Sequence, residues 1–458
     1  MIDQTRICLL NDAPVVKGNF VLYWMQQSQR AECNHALEYA IGEANRLALP
    51  VVVGFGLTDA YPQANERHYA LMLEGLAEVA KTLAERSIKM VVRRGSPDAV
   101  ALALAEEAAL VVADRGYLRH QKAWRQEVAD SAPCRVVQIE ADVVVPVETV
   151  SDKHESMART IRTKLQKRWD NYLNDLAQRK PDKSSLSLAL AGDVDIADPM
   201  EVLKTLKIER GVKAVDGFRG GTSAARQRLE DFLQNRLQGY ENKRNEPAAQ
   251  HTSRLSPYLH FGQIAPVEVA LKISHAKEST TEDRAAFLEE LMVQRELAAN
   301  FVYFEPHYDS YQCLPEWAKK TLQDHRDDPR EHHYTRTQLE AAETHDPYWN
   351  AAMTEMKLTG YMQGYMRMYW GKKILEWSNT PEYAFQTVLF LNNKYFLDGR
   401  DCNSFANVAW CFGLHDHPWK ERPVFGKVRY MNANGLKRKF DIEAYVKQVA
   451  ELAQEASS

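Results

Sequence analysis

The sequence predicts two different folds in one chain. These are an N-terminal α/β fold with a doubly wound, Rossmann-like parallel sheet and a C-terminal all-helical fold. Over residues 1–150, short β-rich runs alternate with helical patterns, whereas beyond about residue 206 the pattern is nearly all helical. The length of 458 residues also exceeds what one ordinary core needs. We therefore expect an α/β domain over 1–150, a connector over 151–205 and a helical domain over 206–458.

Several β-rich runs in the first segment are apolar on both faces, which is typical of a parallel sheet covered by helices on both sides. The predicted strands are RICLL, FVLYWM, LPVVVGFG, IKMVVRRG, ALVVADRG and CRVVQIEADVVVPV. The predicted helices between them are Glu32–Leu47, Glu66–Arg86, Ser96–Glu107 and Lys122–Ala129. A nucleotide-like ligand could bind at the switch point of such a sheet. However, GFG in VVVGFGLTDA is not a dinucleotide fingerprint, so the fold alone names no ligand.

The remaining segments carry a helical periodicity. One basic helix, Met157–Leu176, is expected in the connector, followed by the polar turn-forming stretch QRKPDKSSLS. In the last segment a helix opens at Thr222. Further helices are expected near Pro266–His275, Asp283–Tyr303, Glu316–His325, Asn350–Gly360, Gly364–Ser378, Pro381–Lys394 and Asp441–Glu455.

Composition narrows the class of protein. The chain has no apolar run of about 18 residues and no secretory signal pattern, so we expect no membrane association. Its six scattered cysteines include no CxxC pair, which indicates free thiols and a cytoplasmic location. The net charge of −4 argues weakly against a nucleic-acid partner. Residues 420–439, however, carry seven basic side chains against one acid, which is either a phosphate-binding face or a solvated surface run.

Six of the nine tryptophans lie in the last third of the chain. Four of them are interleaved with charged and amide side chains that are costly to bury unpaired. The tryptophans are Trp349, Trp370, Trp377 and Trp410, and the polar residues are Arg367, Lys372, Lys373, Asn392, Asp398, Arg400 and Asp401. This mixture indicates a planar charged ligand or a route for electrons. The alternative is an amphipathic helix that packs Trp370 and Trp377 inward at i, i+7.

Two further stretches are candidates for chemistry. HTSRLSPYLHFG concentrates hydroxyl groups near a helix start, which suits a phosphate or pyrophosphate, although Ser256 could simply cap its own helix. FLEELMVQRELAANF places Glu290, Gln294 and Leu297 roughly on one helix face. Glu289, Arg295 and Glu296 would then form surface pairs. Metal binding is not expected, because His332-His333 and His415-Asp416-His417 have no second ligand pair at zinc spacing.

Together, six motifs resemble a DNA photolyase, and more narrowly a class II cyclobutane pyrimidine dimer photolyase. They are GGTSAARQRLEDFL, HTSRLSPYLHFGQI, EELMVQREL, MRMYWGKKILEW, LDGRDCN and HDHPWKERPVFGKVRYM. The resemblance covers nearly the whole chain and is weakest in the connector. It implies a deoxyribodipyrimidine photo-lyase, a carbon–carbon lyase that acts on UV-damaged DNA. FAD, active as the reduced anion FADH−, would be bound in the helical domain, and its light-excited electron would split the dimer.

The resemblance also assigns roles to residues. It implies flavin contacts at Tyr240, Thr252, Ser253, Leu255, Ser256, Arg295, Arg367, Asp398 and Asp401. Asn392 would hydrogen-bond the flavin N5, with Asn403 as the second choice. Glu290 would hydrogen-bond the dimer, Met368 and Trp410 would line its pocket, and Trp370 and Trp349 would relay electrons from the surface. Trp377 is assigned to packing.

DNA contacts are implied at Gln294, His417, Lys427, Arg429, Lys437 and Arg438. Three positions depart from the family pattern. Gln294 stands where relatives carry tryptophan or arginine, Gln363 where histidine is usual, and His417 where arginine is common. They leave the second pocket wall and the strength of DNA binding open.

The resemblance also leaves alternatives. An antenna chromophore such as a deazaflavin is expected in the N-terminal domain or is absent, and we expect a monomer. A cryptochrome-like blue-light sensor would share the fold and the flavin, but Glu290, Met368 and Trp410 favour the enzyme. A flavin-free DNA-binding protein would leave LDGRD and TSRLS unexplained.

Overall fold

The structure is a computed structural model that describes residues 2–456. Its N-terminal part is a six-stranded sheet in the order β1-β6-β5-β2-β3-β4. The strands are β1 (Ile7–Leu9), β2 (Phe20–Trp24), β3 (Val51–Leu57), β4 (Lys89–Arg94), β5 (Ala108–Asp114) and β6 (Arg135–Ile139). The helices between them are α1 (His35–Arg46), α2 (Glu66–Glu85), α3 (Pro97–Ala105) and α4 (Arg119–Ser131).

Helices cover both faces of this sheet, as predicted. Alternate side chains of β2 lie on opposite faces, with Val21 and Tyr23 in the core formed with α1 and α2, and Phe20, Leu22 and Trp24 in the core formed with α3. The central strands are therefore buried along their whole length. The doubly wound α/β fold is confirmed.

The sheet is mixed, so the prediction of a wholly parallel sheet was wrong at one edge. Strands β2 to β6 pair in parallel, but β1 pairs antiparallel with β6. Only residues 10–19 separate β1 from β2. That segment is too short for the crossover helix that β2 would need to run parallel to β1.

The sixth predicted strand was also too long. Strand β6 ends at Ile139, and the apolar run Val143–Val145 is buried as irregular chain. Arg6 donates hydrogen bonds to the carbonyls of Glu140 (2.9 Å), Val143 (3.2 Å) and Val144 (2.5 Å). A guanidinium therefore satisfies backbone groups that a neighbouring strand would otherwise have paired.

The connector follows one side of the sheet. The short helix α5 (Val147–Val150) precedes it, and it contains α6 (Ala158–Gln166) and α7 (Pro199–Thr205), so the predicted helix Met157–Leu176 ends early, at Gln166. The later connector residues pair with the edge strand β4. Lys89 N–H donates to Ser185 Oγ (2.7 Å), and Asp193 N–H donates to Val92 O (3.1 Å). The connector thus protects an otherwise open sheet edge.

The C-terminal part is helical, as predicted. Its α-helices are α8 (Thr222–Asn235), α9 (Tyr240–Lys243), α10 (Ser256–His260), α11 (Pro266–Ser274), α12 (Thr281–Leu288), α13 (Arg295–Phe304), α14 (Glu316–Asp324), α15 (Arg336–Ala341), α16 (Pro347–Thr359), α17 (Gly364–Trp377), α18 (Pro381–Tyr395), α19 (Cys402–Trp410), α20 (Ala433–Lys439) and α21 (Ile442–Glu455). None of the helices in residues 2–456 combines the length and apolar character needed to cross a bilayer.

A π-helical segment, Glu289–Gln294, joins α12 to α13. Its wider turn changes which residues share a face. Gln294 Nε2 contacts Glu289 Oε1 at 3.2 Å, five residues away, and both Glu290 and Gln294 are exposed while Leu297 is buried. Glu290 and Gln294 therefore share an exposed face, but Leu297 does not, so the prediction was wrong for Leu297.

The predicted surface pairs on this helix were wrong as well. Glu289 pairs with Arg162 at 2.6 Å, on helix α6. Glu296 is buried and accepts hydrogen bonds from Val144 N–H (2.5 Å) and Val145 N–H (3.3 Å). Burial raises the pKa of Glu296 to about 8. Periodicity cannot distinguish a solvated carboxyl from one that pairs with distant backbone.

A fully buried guanidinium links the sheet to the helices. Arg30 forms an ion pair with Asp142 at 2.6 Å and also donates to Gly262 O (2.9 Å) and Ala141 O (3.0 Å). The side chains of Arg30 and Asp142 are 0% and 3% exposed. One side chain thus connects the loop after β2, the chain after β6 and the turn after α10.

We predict that Arg30→Met lowers the free energy of unfolding by about 3–5 kcal/mol, because it leaves Asp142 buried without its cation. Arg46, whose side chain is 57% exposed, pairs with Glu43 at the surface. Arg46→Met should therefore lower the free energy of unfolding by at most about 1 kcal/mol. Urea denaturation of both variants measures the difference. Equal losses in the two variants would contradict this account of the junction.

Candidate active site

An ion pair lies at the centre of the predicted flavin region. Arg367, on α17, contacts Asp398, in the turn after α18, at 3.1 Å. Their side chains are 17% and 9% exposed, and the guanidinium lies 3.7 Å from the centroid of the Phe396 ring. Helix α17 is fixed here by Gln363, whose side chain accepts from Tyr365 N–H at 2.7 Å and donates to Arg244 O at 2.6 Å.

Two amide side chains and a second carboxyl group lie near this ion pair. Asn392 is buried on α18, and its Nδ2 donates to Asn393 Oδ1 (2.9 Å), which also accepts from Arg400 N–H (3.0 Å). Asp401 caps α19 by accepting from Ser404 N–H (2.7 Å). Burial, and next the charge of Asp398, raise the pKa of Asp401 to about 7. Near neutral pH, the Asp401 carboxyl is therefore only partly ionised and offsets only part of the surrounding positive charge.

The hydroxyl-rich loop approaches the same region. Thr252 Oγ1 lies 2.8 Å from Tyr361 OH, and the Arg254 guanidinium lies 5.1 Å from the centroid of the Tyr361 ring. Burial raises the pKa of Tyr361, while the Thr252 hydrogen bond and the charges of Arg254 and Arg367 act in the opposite direction. Both cations therefore act on one buried ring, which links the TSRLS loop to the Arg367–Asp398 pair. Arg254 has a left-handed backbone conformation (φ 52°).

Ser256 does not cap its helix, so that alternative was wrong. It is the first residue of α10, and the capping position is Leu255, which donates its N–H to Ser253 Oγ at 3.4 Å. The hydroxyl of Ser256 is therefore not used to cap α10.

A second ion pair was missed in the sequence. Arg244 contacts Glu290 at 2.5 Å and lies 5.9 Å from the centroid of the Tyr240 ring. The side chain of Glu290 is 44% exposed. The available signal was the spacing of Tyr240 and Arg244, four residues apart on a short helix, but nothing local linked either to the π segment. Tyr240, Arg244, Glu290 and Gln363 thus form one polar wall.

The aromatic side chains continue inward from the first ion pair. Phe396 packs edge-on against Trp370 (6.2 Å between ring centroids), and Trp370 stacks on Trp349 (6.4 Å, 11° between planes). Trp349 Nε1 donates to Trp370 O at 3.0 Å, which fixes the two rings relative to each other. Trp370 and Trp349 are 1% and 0% exposed, so neither ring reaches the surface.

Cations surround the predicted pocket wall, Trp410. Lys372 Nζ lies 4.8 Å from the ring centroid, and Arg429 lies at 5.5 Å. Lys372 is fully buried and donates to Cys411 O at 2.6 Å; burial lowers its pKa to about 8. Sequence patterns do not predict the contact between Lys372 and Trp410, because the two residues lie on different helices. Met368 is half-buried on α17, the same helix as Lys372.

The predicted DNA face is only partly free. Arg429 is held by Asp416 at 2.8 Å and lies 4.2 Å from the centroid of the exposed Trp419 ring, on which His417 stacks at 4.9 Å. Lys427, Lys437 and Arg438 are exposed, as is Gln294 on the π segment. Among residues 2–456, no three His, Cys, Asp or Glu side chains are grouped as a metal site.

A cavity lies at the carboxyl ends of β2 and β3, against α10 and the loop after α18. Several buried polar atoms in its lining have no hydrogen-bond partner within the described chain. They are Gln26 Nε2, Gln29 Oε1, His260 Nδ1, and Arg400 Nε and Nη2. Burial lowers the pKa of Arg400 to about 10, and its backbone is left-handed (φ 69°). Unpaired buried polar groups of this kind fit a polar ligand.

A smaller cavity shares Tyr61, His260 and Arg400 with the first. Its lining contains three predicted flavin contacts, Arg295, Asp401 and Asn403. Arg295 donates to Asp142 O at 2.6 Å. Of the two asparagine candidates, Asn392 is buried close to the Arg367–Asp398 turn, whereas Asn403 lines this separate cavity.

The donor set fits FAD. Hydroxyls of Thr252, Ser253 and Ser256 beside Arg254 suit a diphosphate, and Arg367 offers a cation to an anionic ring. The Arg367 guanidinium is paired with one carboxylate only at 3.1 and 3.3 Å, so it has donors to spare. The structure thus brings together Tyr240, Thr252, Arg367, Asp398 and Glu290.

Comparison with known proteins shows the family. The DNA photolyase family model matches residues 21–183. The deoxyribodipyrimidine photo-lyase of Methanothermobacter thermautotrophicus is 48% identical over 99% of this chain and 100% of its own length. The chain belongs to the DNA photolyase family. The Oryza sativa deoxyribodipyrimidine photo-lyase is 41% identical over 98% of this chain and 91% of its own length. The prediction of an enzyme of this family is confirmed.

Solved structures share the photolyase fold. A class III photolyase from Agrobacterium tumefaciens superposes with a TM-score of 0.74 at 20% identity, covering 96% of this chain and 88% of its own. A cryptochrome from Synechocystis gives a TM-score of 0.68 at 14% identity, over 94% and 99% of the two chains. An archaeal photolyase from Sulfolobus tokodaii, solved with two FAD molecules, gives 0.69 at 17% identity, over 93% and 89%.

Proposed function

We propose that this protein is a class II enzyme that repairs cyclobutane pyrimidine dimers in DNA with light, using FAD held in its helical part. The observation that carries the proposal is the buried Arg367–Asp398 pair beside Asn392 and the Trp370–Trp349 stack, in a chain of the photolyase family. When bound and reduced, FAD supplies the light-driven electron that splits the cyclobutane ring. Free thiols at all six cysteines support a cytoplasmic location.

The residues around the flavin would bind and orient it. Arg254 and the hydroxyls of Thr252, Ser253 and Ser256 would hold the diphosphate. Arg367 would stabilise the anionic ring, because a partly buried cation interacts strongly with a nearby negative charge. Asp398 keeps the guanidinium in place, and Asn392 would donate or accept at the ring edge.

The opposite wall would receive the lesion. A dimer must leave the duplex to reach a buried ring, which costs less for a damaged pair than for an intact one. Trp410 and Met368 would pack against the extruded bases. Glu290, oriented by Arg244, would hydrogen-bond a base carbonyl. Lys427, Lys437 and Arg438 would contact phosphates without reading sequence.

A light sensor of the cryptochrome type is the second candidate. The Synechocystis cryptochrome shares the fold, but at 14% identity this likeness carries no functional argument. The full-length relatives at 48% and 41% identity are both named deoxyribodipyrimidine photo-lyases, which favours repair.

We further propose that the cavity at the carboxyl ends of β2 and β3 holds a second, light-harvesting chromophore. Its position at the carboxyl ends of the sheet strands is where ligands bind in doubly wound folds. Trp124 and Tyr61 offer rings for stacking, and Arg400 offers two unpaired donors. A deazaflavin is a planar candidate of suitable polarity.

We predict that chemically reduced protein under near-UV light restores dimer-containing oligonucleotides, measured by loss of the dimer on chromatography. Glu290→Gln should lower the repair rate about 10–100-fold, since one charged hydrogen bond contributes about 1.5–3 kcal/mol. Glu289→Gln is the matched control, because Glu289 faces Arg162 instead. Repair equal to that in the dark would remove the enzymatic proposal.

We predict that Trp370→Phe slows the photoreduction of oxidised flavin while repair by chemically reduced protein stays nearly intact. The substitution replaces the oxidisable ring nearest Phe396 and Arg367 but retains packing. Trp169→Phe, in the connector, is the control. A parallel loss of photoreduction and repair would contradict the relay role.

We predict that the absorption spectrum of the purified protein shows a second chromophore band besides that of flavin. Arg400→Met should reduce that band, because it removes the unpaired donors, while the flavin band provides an internal control. A spectrum of flavin alone, after expression with a deazaflavin supply, would argue against the second site.

A further inference from the structure

A lysine lies fully buried behind the aromatic ring that is proposed to line the lesion pocket. Lys372, on α17, is 0% exposed, and its ammonium nitrogen lies 4.8 Å from the centroid of the Trp410 ring. Trp410 itself is only half-buried. The ammonium group therefore lies on the interior side of the indole, and a base stacked on the open side would have the ring between itself and the cation.

The charge of Lys372 is not neutralised by an ion pair. Its ammonium group donates to a backbone carbonyl, Cys411 O, at 2.6 Å, and within residues 2–456 it forms no ion pair with a carboxylate. The second cation at this ring, Arg429, is paired with Asp416 at 2.8 Å. Lys372 thus contributes an uncompensated positive charge at Trp410, whereas Arg429 does not.

A cation of this kind is costly to bury. Its hydrogen bond to the carbonyl that follows helix α19 recovers part of the cost, since a positive charge is favourable at the C-terminus of a helix. A neutral donor would satisfy the same carbonyl without burying a charge. The charge of Lys372 therefore needs an explanation beyond this hydrogen bond.

The chemistry of repair supplies an explanation. The bases of a dimer are neutral when they bind. They carry an extra negative charge only between the arrival of an electron and its departure. A fixed cation therefore stabilises the reacting state and leaves the bound ground state unchanged, which is the condition for accelerating a step.

We propose that Lys372 is a positioning residue for repair, which holds a positive charge behind the Trp410 ring and so stabilises the extra electron on the bound dimer. This inference rests on the proposed function, because it requires a dimer stacked on Trp410. One electron, supplied by the reduced flavin, enters the dimer. Both carbon–carbon bonds that close the cyclobutane ring break, and one electron returns to the flavin. Lys372 neither gains nor loses a proton in this cycle.

The distances set the expected size of the effect. A base stacked on the open side of the indole lies about 3.5 Å from the ring, so about 8 Å separates it from the ammonium group. At an effective dielectric constant of about 20, this attraction corresponds to about a 30-fold shift in the equilibrium of electron transfer to the dimer. The rate should change by about 3–10-fold, because the transition state experiences only part of that shift.

The same charge makes the step dependent on pH. Burial lowers the pKa of Lys372 to about 8, and the charge of Arg429 acts in the same direction, whereas Cys411 and Asp416 act against it. Burial raises the pKa of the Cys411 thiol to about 11, so the thiol stays neutral over this range. Lys372 is therefore mainly charged at neutral pH. Its contribution to electron transfer should disappear as the pH rises through about 8.

The test is flash spectroscopy of the flavin-loaded, chemically reduced protein bound to a dimer-containing oligonucleotide. Lys372→Met keeps the length of the side chain without its charge, and Lys372→Gln also keeps a hydrogen-bond donor for Cys411 O. At neutral pH both variants should transfer an electron to the dimer about 3–10-fold more slowly than wild type. The ratio of wild-type to variant rate should approach one by about pH 9.5, where the wild-type lysine is also neutral.

Lys373→Met is the matched control. Lys373 is the next residue of α17 and is also buried, but its ammonium group is paired with Glu376 at 2.6 Å. Its ring contacts are with Tyr369 and Trp377. This variant should keep a rate within about twofold of wild type at every pH.

Binding in the dark separates the charge from the shape of the pocket. Because the bases of the bound dimer are neutral, both Lys372 variants should bind the dimer-containing oligonucleotide within about twofold of the wild-type affinity. NMR of protein with isotope-labelled lysine side chains needs neither light nor DNA. The Lys372 resonance, identified by its absence in Lys372→Gln, should titrate near pH 8.

Three results would overturn the inference. The first is a rate ratio that stays constant from neutral pH to about pH 9.5, and the second is a wild-type rate in Lys372→Gln, which would make the lysine a hydrogen-bond donor alone. The third is a Lys372 resonance that is already neutral at neutral pH. If neither variant folds, a wild-type rate that does not fall across this pH range decides against the role of Lys372.

Failure of this inference is distinguishable from failure of the proposed function. A wild type that splits no dimer at any pH refutes the proposed function. Dimer splitting with a rate ratio independent of pH refutes the role of Lys372 alone.

Discussion

The buried guanidinium of Arg30 is the contact on which the arrangement of this molecule depends. It neutralises Asp142 at the chain after β6 and at the same time donates to Gly262 in the helical part. Without Arg30, three irregular segments would meet with unpaired carbonyls and a buried charge. Such groups strongly destabilise the folded state. Because irregular backbone is satisfied here by side chains, two layers built by different local rules can meet along a polar junction.

That junction also sets the geometry of the site. The segment after β6 carries the backbone N–H groups of Val144 and Val145, which bind the buried carboxyl of Glu296. Glu296 lies two residues beyond the π segment, so its hydrogen bonds hold the end of that segment in place. The π turn in turn directs Glu290 toward Arg244 and exposes Gln294. The hydrogen bonds of Glu296, where the sheet and the helices join, thus help to position the polar wall that is proposed to bind the lesion.

Charged side chains and aromatic rings occupy different layers of the helical part. Arg254, Arg367 and Arg244 supply positive charge from three different elements. Burial raises the pKa of Asp401, so this carboxyl neutralises only part of that positive charge. Trp349, Trp370 and Trp377 lie beneath this layer, where they are shielded from water. A reactive centre with donors on one side and oxidisable rings on the other follows from that layering.

The sequence by itself determined the alternation of strands and helices, most helix bounds and the family. These features are local, because periodicity, capping residues and contiguous motifs such as MRMYWGKKILEW are written in neighbouring positions. It also indicated that Arg367, Asp398 and the tryptophans act together. Tertiary structure alone decided that β1 runs antiparallel, that Val143–Val145 is not a strand, and that Glu296 is buried. It alone joined Lys372 to Trp410. Each of these depends on partners distant in sequence, whose positions are set by packing and by the need to satisfy buried polar groups.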